Sequence, residues 1–178
     1  TNRDLEQEIR RGTFRSDLAG VNAIVNLSGA TIGRRWNEKR KAEILESRVA
    51  TTALLARTAA VVDPKPAVFV VAGPTGIYGN RGDEVLTEES ELGSGFLADV
   101  GRAWEAAAQP ARDAGIRVVD FRQGIVLAKD GGALERLLLP FKLGLGGRVG
   151  SGEQWWSWVA LDDVVAAYRF ALESDLAG

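Results

Sequence analysis

The chain contains neither cysteine nor histidine, which removes the cysteine nucleophile, the Cys/His zinc site and the serine-histidine-aspartate triad together. Proton transfer therefore falls to Tyr, Lys, Arg, Asp, Glu, Ser or Thr. The phenols are Tyr78 and Tyr168, and five lysines complete a short set of candidates. Gly73, Gly76 and Gly79 follow an apolar run at intervals of three, a spacing that superficially matches a dinucleotide fingerprint. Such a loop must run straight into a helix whose amino end holds the phosphates. Residues 80–89 instead continue as a polar stretch, so this is not a pyrophosphate cradle. No other segment supplies one, and a glycine loop, if a dinucleotide binds, is expected ahead of Thr1.

Trp155, Trp156 and Trp158 offer an aromatic wall to a substrate. Alternation in an extended segment predicts Trp156 and Trp158 on one face and Trp155 on the other. Two of the three are expected to pack into the core against the last helix. Asp83, Glu84, Glu88, Glu89 and Glu91 form an acidic run that reads as a solvated loop, and no metal site is expected.

These groups must be carried by alternating strands and helices. Ala23 to Leu27 is a β-branched run closed by Ser28-Gly29, which predicts a buried strand ending in a loop. A helix is predicted over Asn37–Val62, with Ile44, Leu45, Val49, Leu55, Ala59 and Val62 on its apolar face, and Asp63-Pro64 stops it. A second strand, Ala67–Val71, is apolar on both faces. A helical stretch from Phe96 to Ala114 follows, broken at Pro110. A third strand, Ile116–Phe121, comes next, then a short helix over Leu134–Leu143. A last helix begins at Asp162-Asp163, with Val164, Val165, Tyr168, Ala171 and Leu172 inward. The first 20 residues read as a helix-or-loop approach to the sheet.

Strand, helix, strand, helix, strand with doubly buried strands predicts an α/β fold: a parallel sheet covered on both faces. Ligands of such sheets bind at the carboxyl ends of the strands. Here those ends are Leu27-Ser28-Gly29, Ala72-Gly73 and Arg122-Gln123-Gly124.

The 178 residues, 46% apolar and 26% charged, predict one soluble domain over residues 1–178. A net charge of −2 leaves no footprint for nucleic acid or an anionic membrane. The apolar run Ala67–Ala72 is far short of the roughly 20 residues of a membrane span, so a cytoplasmic protein is expected. A chain without methionine that opens at Thr1 is expected to be a fragment.

A set of blocks stands in one order along the chain: Asn26-Leu-Ser-Gly29, Trp36 to Lys41, Ser47-Arg-Val49, Tyr78-Gly79 with Arg81-Gly-Asp83, Arg122 to Leu127, Gly144-Leu-Gly-Gly147, and Gln154 to Trp158 with Asp162-Asp163. Together, from about Gly20 onward, they resemble the epimerase-like atypical short-chain dehydrogenase/reductases, often labelled nucleoside-diphosphate-sugar epimerases. The resemblance implies a Rossmann-like, doubly wound parallel sheet binding NADP or NAD, with the glycine loop before Thr1. It also implies a small-molecule substrate region that starts at residues 144–160 and continues past Gly178. Carried over by position, Leu27, Ser28, Gly29, Ala72 and Gly73 line the cofactor, and Gln123, Gly124 and Ile125 flank its nicotinamide. Arg48 stands beside the active centre, where the wider superfamily has an asparagine.

The departures from that superfamily matter as much. Its serine position is Pro74 or, one residue off, Thr75, and its tyrosine and lysine positions hold Phe96 and Val100. Neither phenylalanine nor valine transfers a proton, so the usual mechanism is closed. What remains is Tyr78, with Thr75 nearby and Arg48, Arg81 or Arg122 as cationic neighbours able to stabilise a phenolate or an oxyanion. Tyr78, Thr75 and Arg48 are thus the catalytic candidates, and Trp155 and Trp156 the substrate candidates. The alternative for Tyr78 is a ring packed beneath its loop with the hydroxyl on the backbone. The functions implied are an oxidoreductase or sugar-nucleotide epimerase on a small substrate, or a non-catalytic NAD(P)-binding regulatory or structural protein.

Overall fold

The computed structural model describes residues 18–148 and 150–175. The predicted approach segment therefore lies outside the described residues through position 17. The main sheet is parallel, in the order β1 (Ala23–Asn26), β2 (Val68–Pro74), β3 (Arg117–Gln123). Ile24 stands opposite Phe69, and Val70 opposite Val119. The central strand is buried on both faces, as its unbroken apolar run requires. Phe69 and Val71 pack with Ala56, Trp104, Ala108 and Ala111 on one side. Val68 and Val70 pack with Ala171, Tyr168 and Leu172 on the other. Removing a side chain such as Phe69 from water contributes about 1.5–3 kcal/mol.

One helical layer holds α1 (Glu38–Val61), α2 (Phe96–Ala106) and α3 (Gln109–Asp113). Asn37 caps α1, its side chain accepting from the Arg40 backbone N–H at 2.8 Å. The inward face of α1 is less apolar than its periodicity predicts. Leu45 is 37% exposed, whereas Ser47, Thr51, Thr52 and Thr58 are buried with Ile44, Ala56 and Ala59. Small hydroxyl residues allow the helix to sit close to the sheet while bonding inside the core. Pro110 separates α2 from α3 as predicted, standing in the first turn of α3, where the N–H it lacks has no intrahelical partner.

After β2 the chain makes a single 3₁₀ turn, Thr75–Tyr78, and no helix forms until Phe96. The Gly73/Gly76/Gly79 run therefore does not lead straight into a helix, the feature a phosphate loop needs. Two short strands escape the apolar-run reading: β4 (Ile125–Leu127) and β5 (Trp158–Ala160) pair in parallel, Ile125 opposite Trp158. Between them lies α4 (Gly132–Lys142). The last helix, α5 (Leu161–Glu173), covers the second face of the main sheet. Val164 and Ala171 are buried as predicted, but Val165 is 51% exposed. With helices on both faces of a parallel sheet, the fold is doubly wound and Rossmann-like.

Candidate functional site

A cavity of about 820 Å³ opens at the carboxyl ends of β1, β2 and β3. Leu27, Ser28 and Gly29 line it after β1, and Ala72, Gly73 and Thr75 after β2. Gln123, Gly124 and Ile125 line it after β3, Arg48 from α1, and Trp155 and Trp156 from the segment ahead of β5. Its size is that of a small-molecule or cofactor site. Residues far apart in sequence thus converge where an open α/β sheet binds ligands.

The loop after β1 is pinned by a buried polar relay. The Asn26 amide, 3% exposed, donates to Thr52 Oγ1 at 2.8 Å, and the Trp104 indole donates to the same oxygen at 2.8 Å. The Asn26 side-chain oxygen in turn accepts from the Ser28 backbone N–H at 3.1 Å and from the Ser28 hydroxyl. Ala30 N–H donates to Ser47 Oγ at 2.9 Å. Asn26 and Thr52 look like strand and helix core positions in the sequence, and only their contact shows that they aim Ser28.

Arg48 brings positive charge to this largely apolar wall. Its Nη1 donates to the carbonyls of Ala30 and Ile44, both at 3.0 Å, and the guanidinium lies 5.0 Å from the Trp104 ring centroid. Burial, and then the charge of Arg40, lower its pKa from the ordinary guanidinium value. Gly29 leaves room for it: a Cβ there would lie 2.8 Å from Arg48 Cζ, so a side chain at position 29 displaces the guanidinium. Gly124 is the stricter case: a Cβ would come within 2.6 Å of the Ser157 backbone, where the chain passes from β3 to β4.

On the far side of the cavity the Tyr168 hydroxyl donates to Gln123 Oε1 at 3.0 Å, with its ring stacked on Phe121 at 4.5 Å between centroids. Burial pushes the Tyr168 phenol up to about 12. The sequence marks Tyr168 as an inward residue of the last helix, without a sign that it reaches a strand end. The tryptophans depart from expectation. Trp155, Trp156 and Trp158 are 76%, 48% and 61% exposed, so none is a core residue. Regular strand geometry starts only at Trp158, and Trp155 and Trp156 both turn to the cavity rather than alternating. The Trp155 indole donates to Asp83 Oδ1 at 2.8 Å, tying this segment to the acidic loop. Trp155, Gly76 and Leu97 also line a neighbouring cavity of about 860 Å³.

Tyr78 is the predicted site residue that lines neither cavity. It is 6% exposed, and its hydroxyl accepts from Arg122 Nη1 at 2.8 Å rather than bonding the backbone. Arg122 itself grips Glu105 with two bonds, Nε to Oε1 at 2.7 Å and Nη2 to Oε2 at 2.9 Å, and donates to the Glu88 carbonyl at 3.0 Å. The hydrogen bonds with Glu105 hold the guanidinium above its ordinary pKa. Arg81, the other expected cation, is engaged by Glu84 at 2.8 Å. The turn after β2 aims Thr75 at the cavity and Tyr78 into this network. Phe96 and Val100 bring no proton donor either: Phe96 meets Trp36 edge-on at 5.2 Å, and Val100 is 2% exposed in the cavity wall.

The profile of the NAD dependent epimerase/dehydratase family matches residues 3–178. The chain belongs to this family. An epimerase family protein of Mycobacterium bovis is 44% identical over 156 residues, covering 87% of this chain and 51% of that protein. The chain therefore spans about half the length of the curated epimerase/dehydratase relatives it matches. Among solved structures, human epimerase family protein SDR39U1 with NADPH superposes with a TM-score of 0.81 at 37% identity, covering 90% of this chain and 57% of that one. The nucleoside-diphosphate sugar epimerase of Corynebacterium glutamicum gives 0.80 at 40% identity, covering 92% and 34%. No helix among the described residues is long and apolar enough to cross a membrane.

Proposed function

We propose that the cavity at the strand ends receives the nicotinamide end of NADP or NAD, and that the chain serves an oxidoreductase or epimerase acting on a small molecule. The observation that carries this reading is the convergence of Ser28, Gly29, Ala72, Gly73 and Gln123 on one cavity of about 820 Å³. The lining fits the group. Its small residues leave room for a flat ring, Gln123 offers an amide to the ring's carboxamide, and the apolar walls suit the ring faces. When bound, the dinucleotide supplies or accepts a hydride.

The chain's own residues would do the rest. Arg48, fixed by two carbonyls, places a positive charge where negative charge develops on a substrate oxygen. Thr75 lines the same space, and Trp155 and Trp156 offer an aromatic wall to a substrate there. Residues 144–160 begin the substrate region on this reading, within one domain spanning residues 1–178. A second reading, a dinucleotide binder without turnover, is favoured by one observation: Tyr78 is sequestered by Arg122, away from the cavity.

The test is titration of the full-length protein, not of residues 1–178 alone, with NADPH, NADP, NADH and NAD, followed by tryptophan quenching and energy transfer to the reduced nicotinamide. Saturable binding of one pair supports the cofactor reading, and no binding by any of the four refutes both readings. Turnover separates them. An enzyme loses its rate in R48M while dinucleotide affinity holds, whereas a binder shows no rate to lose.

A further inference from the structure

We infer that Tyr168 is a positioning residue, which fixes the side-chain amide of Gln123 so that its N–H group, and not its oxygen, faces the cavity and donates to the carbonyl oxygen of the nicotinamide carboxamide. The inference rests on the reading of the cavity as the nicotinamide site and adds the polarity of its recognition.

A glutamine amide has two ends of opposite character, the oxygen accepting and the nitrogen donating. Left free in a cavity, it can present either. Here the oxygen is taken, because the Tyr168 hydroxyl donates to Oε1 at 3.0 Å. The Tyr168 phenol, pushed up to about 12 by burial, stays protonated and able to make this donation throughout the neutral range. Its ring is also held, stacked on Phe121 at an interplanar angle of 18° and packed against the Val68 and Val70 face of the sheet. Phe121 and Gln123 belong to the same strand, so stack and hydrogen bond together lock α5 to the carboxyl end of β3. With Oε1 engaged, the group left to the cavity is Nε2, a donor only. A carboxamide offers both a carbonyl acceptor and an N–H₂ donor, and a donor wall selects the carbonyl.

Binding to the full-length protein should therefore distinguish analogues that differ only at that group. Acetylpyridine-NADP keeps the carbonyl and lacks the N–H₂, whereas thio-NADP replaces the oxygen by the weaker acceptor sulfur. 2′-phospho-ADP-ribose, which lacks the ring altogether, is the control for the rest of the site; the NAD series serves in the same way if NAD is the dinucleotide bound. Wild type should hold NADP and its acetylpyridine analogue alike and thio-NADP about three- to tenfold more weakly, the range of one neutral hydrogen bond. Q123L should erase the difference between oxygen and sulfur. Y168F should reduce it by releasing the amide to turn, and the double variant should be no worse than Q123L alone. Affinity for 2′-phospho-ADP-ribose should stay level throughout, which a general loosening of the fold would not allow.

Retention of the oxygen preference in Q123L, or an undiminished preference in Y168F, overturns the inference and leaves the cofactor reading standing. Equal affinity of the wild type for NADP and for 2′-phospho-ADP-ribose overturns the nicotinamide reading and the inference with it.

Discussion

Thr52 is fully buried in the middle of α1, and one oxygen there accepts from both Asn26 and Trp104, each at 2.8 Å. Replacing it with valine keeps the shape and removes the acceptor. Asn26 and Trp104 are themselves only 3% and 6% exposed, so water cannot take the place of the lost oxygen. Each buried donor left unpaired costs about 1–3 kcal/mol, and the extra methyl of valine returns about 1 kcal/mol, for a net loss of about 1–5 kcal/mol. T52S is the paired control. It keeps both hydrogen bonds and loses a single methyl, for a loss of about 1 kcal/mol. Urea unfolding followed by tryptophan fluorescence gives both values, with unchanged m as the condition for comparison. If T52V is as stable as T52S or more so, the oxygen is not the hub described and Ser28 owes its position to something else.

Three further outcomes are expected. G29A should drive the Arg48 guanidinium off the Ala30 and Ile44 carbonyls, since the new Cβ lies 2.8 Å from Cζ; the loss of about 1–3 kcal/mol should shrink when R48A is combined with it, and strict additivity would refute the clash. Asp120 is paired with Arg112, yet burial pushes its carboxyl from 3.8 up to about 6. The folded state therefore holds a proton that the unfolded chain releases earlier, and this stabilisation, complete below the lower value, is lost as pH rises through the higher one. Denaturation across that window should show wild type losing about 1–3 kcal/mol relative to D120N, and a level difference would contradict the shift. Y78F removes the hydroxyl that Arg122 binds at 2.8 Å, so stability should fall by about 1–3 kcal/mol while dinucleotide affinity stays the same; a tenfold weaker affinity would return Tyr78 to the site.

What the sequence made legible were the places where residue type changes abruptly. Leu27-Ser28-Gly29, Ala72-Gly73 and Gln123-Gly124 are breaks after apolar runs, and strand ends of that kind come together at one edge of a parallel sheet, where all of these residues line the cavity. Thr52 was illegible because a threonine adds little to an apolar stripe, and its importance comes from Asn26 and Trp104, 26 and 52 residues away. The pair Gln123 and Tyr168 spans 45 residues and is invisible for the same reason. Tyr78 was conspicuous as a rare phenol, but its direction is decided by the 3₁₀ turn that holds it, which no periodicity reports. The strands β4 and β5, three residues each, are too short for alternation to register.

Those two short strands govern the aromatic wall. Trp155 and Trp156 reach the cavity from a segment whose downstream anchor is the pairing of Trp158, Val159 and Ala160 with Ile125, Val126 and Leu127. A slip of one residue in that pairing would turn the strand over and change the approach of both indoles. Lengthening the exposed stretch near Gly144 to Gly147 would not disturb the register, because the added residues enter upstream of the anchor. The crossover between β4 and β5 can thus change in length and composition while the two indoles keep their address at the mouth of the cavity, on an unchanged sheet.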